Sequence, residues 1–102
     1  MKVKDTSVNI QDLDDRLKTI LPILDIIYEE FKTELVITSG RDGKHGLNSL
    51  HYQGLAVDLR TWNLLATVVA RIRAELGPDF EVILEKDHIH IEYDPKKTHV
   101  VG

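Results

Sequence analysis

Ser49-Leu-His51-Tyr-Gln-Gly54-Leu-Ala-Val-Asp58 is the stretch of sequence on which the fold and the site both depend. Its second half continues into a leucine, and this short apolar run predicts a strand over Leu55–Leu59. Because side chains alternate along a strand, Asp58 shares one face with Ala56, and the three larger apolar residues share the other. We therefore expect the apolar face to lie on the core and Asp58 to point into a cleft.

Helical periodicity dominates the first third of the chain. Apolar residues recur at intervals of three and four from Ile10 onward, as one face of a helix requires, and Asn9 is a suitable N-cap. Pro22 interrupts the pattern, because an interior proline removes a backbone hydrogen bond and clashes with the preceding turn. The alternatives are two short helices, over about 10–20 and 22–32, and one bent helix.

The rest of the chain predicts short strands around one more helix. Strands are predicted for Leu35–Ser39 and for the two halves of Phe80–Tyr93, which a tight turn near residues 85–87 would join. Helical spacing over Leu64–Leu76 ends at Gly77-Pro78, a pair that stops helices.

Length and charge narrow the class of protein. The chain has 102 residues, of which 42% are hydrophobic, enough for one modest core, so we expect a single domain with tails over 1–8 and 95–102. Thirteen Lys and Arg stand against seventeen Asp and Glu, a net charge of -4 without the basic stripe that nucleic acid requires. No apolar run approaches the roughly 20 residues of a membrane span, and none has the form of an export signal. We expect a monomer that is cytoplasmic as synthesised.

Histidines and one aspartate form a candidate metal site. The chain has no cysteine, so a transition metal would depend on imidazole and carboxylate ligands. His51, Asp58 and His90 supply such a set from separate elements, and three protein ligands leave the open position that a catalytic zinc needs. Gly54 lies between two of them, and we interpret it as a tight turn where a side chain would obstruct the metal.

The central stretch also resembles a known family. Five of its positions form Ser-x-His-x-x-Gly-x-Ala-x-Asp without a mismatch, which resembles the signature of the zinc D-Ala-D-Ala carboxypeptidases and the related phage L-alanyl-D-glutamate endolysins. Val36–Arg41 upstream and His88-Ile-His90 downstream resemble the same family, in the same chain order. The likeness covers about Leu21 to Tyr93, most of the chain.

The resemblance implies a fold and a set of roles. The fold would be the hedgehog/DD-peptidase-like α+β type, with a small antiparallel sheet and helices packed on one face. Zn²⁺ would be held by His51, Asp58 and His90. Arg41 would contact the substrate or the developing oxyanion, and Ser49 would contribute to substrate binding.

Two acids compete for the role of general base, which should take a proton from water and pass it to the leaving amine. Asp87 lies three residues before His90, as in the acid-x-x-His arrangement of the carboxypeptidases and endolysins. Glu85 lies five before it and forms Glu85-x-x-His88-x-His90, an arrangement of another branch of the family. We favour Asp87 and interpret His88 as a second histidine in the cleft that orients substrate or stabilises charge. If His88 were the ligand instead, Glu85 would become the better candidate.

The sequence therefore predicts a zinc-dependent peptidase, either a carboxypeptidase or an endopeptidase. It would hydrolyse a bond next to a D-amino acid in peptidoglycan-type peptides, using a metal-activated water. Such an enzyme without an export signal would act on free peptides in the cytoplasm, or would be phage-encoded and released to the cell wall. The alternative is a zinc-binding recognition or structural module of the same fold, because a fold does not fix a function.

Overall fold

The computed structural model describes residues 1–42, 53–62 and 66–95. Within these ranges the chain forms an α+β fold with two helices and a five-stranded sheet. In chain order the elements are β1 (Lys2–Val3), α1 (Asp15–Glu30), β2 (Val36–Ser39), β3 (Ala56–Arg60), α2 (Ala66–Leu76), β4 (Phe80–Leu84) and β5 (His88–Tyr93). Neither of these helices is long and apolar enough to cross a membrane.

The sheet is mixed, whereas the family resemblance implied an antiparallel one. Its strand order is β1-β2-β3-β5-β4, and every neighbouring pair is antiparallel except β1 with β2. Lys2 and Val3 pair in parallel with Val36 and Ile37, so the start of the chain belongs to the sheet. The predicted tail over 1–8 is therefore wrong, and the second predicted tail lies outside the described residues from 96 onward.

Helix α1 is one continuous helix, so of the two alternatives the split at Pro22 is not seen. The apolar face is buried on both sides of Pro22, and this packing offsets the hydrogen bond that the proline removes. The N-cap is Asp14, whose side chain accepts the backbone N–H of Arg16. Asn9 is therefore not the N-cap, and its side chain accepts the N–H of Asp12 in a turn before the helix.

Both helices pack on the same face of the sheet. The core joins apolar residues of α1 and α2 to the inward side chains of the strands, among them Val57 and Leu59. Their burial confirms the predicted core face of β3. Tyr28 of α1 is buried beside them, and its hydroxyl donates to the Arg60 carbonyl over 2.8 Å. The other face of β3 and β5 consequently carries the polar side chains.

Gly54 is required for a different reason from the one expected. Its φ is +71°, a left-handed conformation, and its carbonyl accepts the N–H of Asp14 over 2.9 Å. A Cβ at this position would lie 2.8 Å from the carbonyl oxygen of Asp12 and 3.0 Å from the Asp14 nitrogen. The start of α1 therefore excludes a side chain here, independently of any metal.

Strand β4 ends the sheet, and α2 covers part of its outer edge. Glu85 donates its N–H to the His88 carbonyl, and hydrogen-bonded and non-hydrogen-bonded pairs alternate from there along the antiparallel ladder. Val82 and Ile91 consequently form a non-hydrogen-bonded pair, and the Val82 carbonyl points away from β5. The Arg73 guanidinium donates to that carbonyl from both Nε and Nη2. Helix α2 ends as predicted at Gly77, whose φ is +83° and whose N–H bonds the Arg73 carbonyl.

Candidate metal centre

The structure places two of the three predicted ligands on neighbouring strands. Asp58 lies on β3 and His90 on β5, directly opposite each other in the antiparallel register. Both point to the face of the sheet opposite α1 and α2, as the strand alternation predicted for Asp58. His51 and Ser49, the other predicted ligand and the predicted substrate contact, lie outside the described residues.

The hydrogen-bond pattern of the ladder brings Asp58 and His90 together. Tyr93 donates its N–H to the Leu55 carbonyl over 2.9 Å, and from there hydrogen-bonded and non-hydrogen-bonded pairs alternate. Asp58 and His90 therefore form a non-hydrogen-bonded pair, the type in which opposite Cα atoms are about 4.5 Å apart and side chains are closest. The sheet alone sets their separation, without help from a loop.

His90 lies between two carboxylates. Its Nδ1 is 2.8 Å from Asp58 Oδ1, and its Nε2 is 2.9 Å from Glu92 Oε1. The three side chains are 18%, 14% and 12% exposed, respectively. Burial lowers the pKa of His90, but the hydrogen bonds and charges of Asp58 and Glu92 raise it by more, so its pKa lies above 6.5. When both ring nitrogens are protonated, each donates to its own carboxylate.

His88 and Asp87 form a second pair beside the first. His88 Nδ1 is 2.7 Å from Asp87 Oδ1, and its Nε2 is 3.9 Å from Asp58 Oδ1. The hydrogen bond with His88 lowers the pKa of Asp87, whose side chain is 87% exposed. Asp87 is therefore ionised at neutral pH and aligns the His88 ring, whose other nitrogen faces Asp58.

A cleft of about 380 Å³ opens in front of Asp58, Asp87 and His88. Thr38 and Ser39 both line it, because a register shift between Ile37 and Ser39 bulges β2 and turns consecutive side chains to one side. Its other lining residues are Lys4, Asp58, Arg60, Asp87 and His88. The cleft therefore combines two cations with the carboxylates and a histidine.

Arg41 and Glu85, two other predicted site residues, are not among the residues that line this cleft. The backbone N–H of Arg41 donates to the Asn9 carbonyl over 2.8 Å, which fixes the end of β2. Glu85 begins the turn between β4 and β5, and its side chain is exposed. Of the two candidate bases, Asp87 is thus the one in the cleft with Asp58.

The facing pair fits zinc in chemistry and is slightly closer together than zinc donors are. Zinc accepts imidazole nitrogen and carboxylate oxygen, and two such donors in a tetrahedral site lie roughly 3.3 Å apart. The 2.8 Å between His90 Nδ1 and Asp58 Oδ1 reaches that value by a small side-chain adjustment and loss of the shared proton. Residues 1–42, 53–62 and 66–95 contain no group of three or more His, Cys, Asp or Glu side chains that could hold a metal ion, and the predicted ligand His51 lies outside these ranges.

Sequence reasoning missed three charged residues around the site. Arg60 and Glu92 each lie two positions after a predicted ligand on the same strand, so the alternation used for Asp58 would have found them. Lys4 carried no such signal, because it reaches the cleft through the parallel pairing of the two-residue strand β1.

The chain was also compared with known proteins. No known protein family matches it, and no curated protein is significantly similar to it.

Proposed function

We propose that the chain is a zinc-dependent peptidase that hydrolyses a bond next to a D-amino acid in peptidoglycan-type peptides. The observation that carries the proposal is the opposed pair of Asp58 and His90, which the ladder holds together, with Asp58 lining a polar cleft. The resemblance of the sequence to D-Ala-D-Ala carboxypeptidases and endolysins supplies the substrate class.

In this proposal His51 completes the ligand set with Asp58 and His90. Zinc, when bound, supplies Lewis-acid activation of a water molecule and of the scissile carbonyl. Lys4 and Arg60 give the cleft positive charge close to the two ligands. Charge complementarity then favours a substrate that carries carboxylates, as peptidoglycan peptides do.

Asp87 is the proposed proton acceptor, with Glu85 as the alternative. Asp87 is ionised because His88 lowers its pKa, and it lines the same cleft as Asp58. His88 Nδ1 is hydrogen-bonded to the Asp87 carboxylate and holds it in place, so that Asp87 can take a proton from water and pass it to the leaving amine.

The direct test is mass spectrometry of purified muropeptides incubated with the protein, with and without a chelator. We expect shortened peptides, cleaved next to a D-residue, that the chelator abolishes and added Zn²⁺ restores. Cleavage that resists the chelator would contradict a metal mechanism. Stoichiometric zinc with no product from any muropeptide would instead favour the zinc-binding recognition module.

The ligand set has its own test. Purified protein should contain about one zinc per chain, and His51→Ala should lose it, because removing one of three ligands removes the chelate. His99→Ala is the matched control, a histidine replaced outside the proposed set, and should retain the metal. Elemental analysis after dialysis measures both, and stoichiometric zinc in His51→Ala would refute the assignment.

A further inference from the structure

We propose that Glu92 is a positioning residue, which holds the His90 ring so that Nδ1 faces the metal and Nε2 carries the proton. The inference rests on the proposed zinc site and adds to it a residue outside the ligand set. It also assigns the nitrogen through which His90 binds.

Glu92 is the only charged residue within the described ranges that is buried. It lies two positions after His90 on β5, on the same face of the sheet, and its Oε1 is 2.9 Å from His90 Nε2. Burial of a carboxylate is costly unless a partner compensates for it. The His90 ring provides a hydrogen-bond donor at that site.

The two carboxylates around His90 are not equivalent. Asp58 lines the cleft, whereas Glu92 does not. Glu92 lies one row of the sheet behind the ligand pair, with Ala56 opposite it on β3 and Glu81 opposite it on β4. A metal and a substrate can therefore approach His90 from the Asp58 side. Glu92 contacts the opposite nitrogen of the ring, Nε2, away from the cleft.

A carboxylate in that position fixes the tautomer and the ring orientation of a metal-binding histidine. The N–H···O bond selects one tautomer and one ring orientation, and it makes the opposite nitrogen a stronger donor to the metal. Without the bond, the His90 ring could rotate about its Cβ–Cγ bond and bind less firmly. Loss of such a partner typically lowers metal affinity by 10- to 100-fold.

The experiment measures Zn²⁺ affinity by competition with a chromophoric chelator, in the wild type and in Glu92→Ala and Glu92→Gln. We expect a roughly 10- to 100-fold loss for the alanine variant and a smaller loss for glutamine, which keeps an acceptor but not the charge. Glu81→Gln is the matched control, because Glu81 is the cross-strand neighbour of Glu92 and shares its face. It should stay within twofold of the wild type. Circular dichroism confirms that each variant is folded.

A second readout is independent of affinity. Histidine ¹⁵N spectra of the zinc-loaded wild type should show His90 bound through Nδ1 and protonated at Nε2. Binding through Nε2 would overturn the inference, and so would unchanged affinity in folded Glu92→Ala while the wild type binds zinc. If the wild type itself binds no zinc, the proposed function fails and the inference with it.

Discussion

At the scale of single residues, the site depends on which side chains the ladder sets opposite one another. The face on which Asp58 lies could be predicted from strand alternation. The direct pairing of Asp58 with His90 could not, because register depends on contacts between segments 32 positions apart. For the same reason, the position of His90 between the carboxylates of Asp58 and Glu92 could be seen only in the structure.

The choice between the two acids belongs to this scale. Asp87→Asn should keep the zinc and lose turnover by roughly 10² or more, because the amide cannot accept the proton. Glu85→Gln, the matched change outside the cleft lining, should retain turnover. The two variants are compared by their turnover rates on a muropeptide substrate, and their zinc content is measured in parallel. The opposite pattern would assign the role to Glu85, and two active variants would direct attention to His88.

At the scale of elements, the longer helices and strands could be predicted and the smallest could not. Predicted strands 35–39 and 55–59 differ from β2 and β3 by one residue at their ends. Strand β1 has two residues, too few for any periodicity, and it forms only because β2 offers it a parallel edge. The N-cap was placed too early, since both Asn9 and Asp14 have suitable side chains and tertiary contacts select Asp14.

The cap of α1 gives a pH prediction. The hydrogen bonds and charge of Arg16 lower the pKa of Asp14 to about 2 from 3.8. A lowered carboxyl pKa contributes stability that is present above 3.8 and is lost as the pH falls through about 2. As the pH falls from 3.8 to about 2, the Tm of the wild type should therefore fall relative to that of Asp14→Asn. The asparagine side chain caps the helix without a charge, so its contribution does not titrate. A constant difference between the two proteins would contradict the assignment.

The turn before β3 gives a second prediction at this scale. Gly54→Ala should lower the unfolding free energy by roughly 2 kcal/mol or more, through the left-handed φ and the contact with the Asp12 carbonyl. Gly77→Ala is the matched control, because Gly77 also has a positive φ but no atom lies within 4 Å of an added Cβ. It should cost only about 1–2 kcal/mol. Equal losses in urea denaturation would show that the contact contributes nothing.

At the scale of the whole molecule, the hydrophobic core and the cleft lie on opposite faces of the sheet. One face carries both helices and the core, and the other carries the cleft, Asp58 and His90. The α+β class and the packing of helices on one face agree with the expectation from the sequence.

Metal binding should be coupled to folding of the whole molecule. Two of the three proposed ligands, Asp58 and His90, meet only when β3 and β5 pair, so zinc should bind the folded chain in preference to the unfolded one. At a free concentration 100 times Kd, zinc should add about 2.7 kcal/mol, which raises Tm by an amount on the order of 10 °C. Calorimetry with and without a chelator measures the shift. An unchanged Tm at saturating zinc would contradict a site built on these strands.

The contact between Arg73 and the Val82 carbonyl has a consequence for the behaviour of the protein in concentrated solution. An outward carbonyl on a terminal strand is a template on which a second chain can add its own strand, and such additions can continue into aggregates. The guanidinium occupies that acceptor and places a positive charge at the same point. Loss of one arginine remote from the cleft would thus expose the molecule to self-association while leaving its chemistry intact.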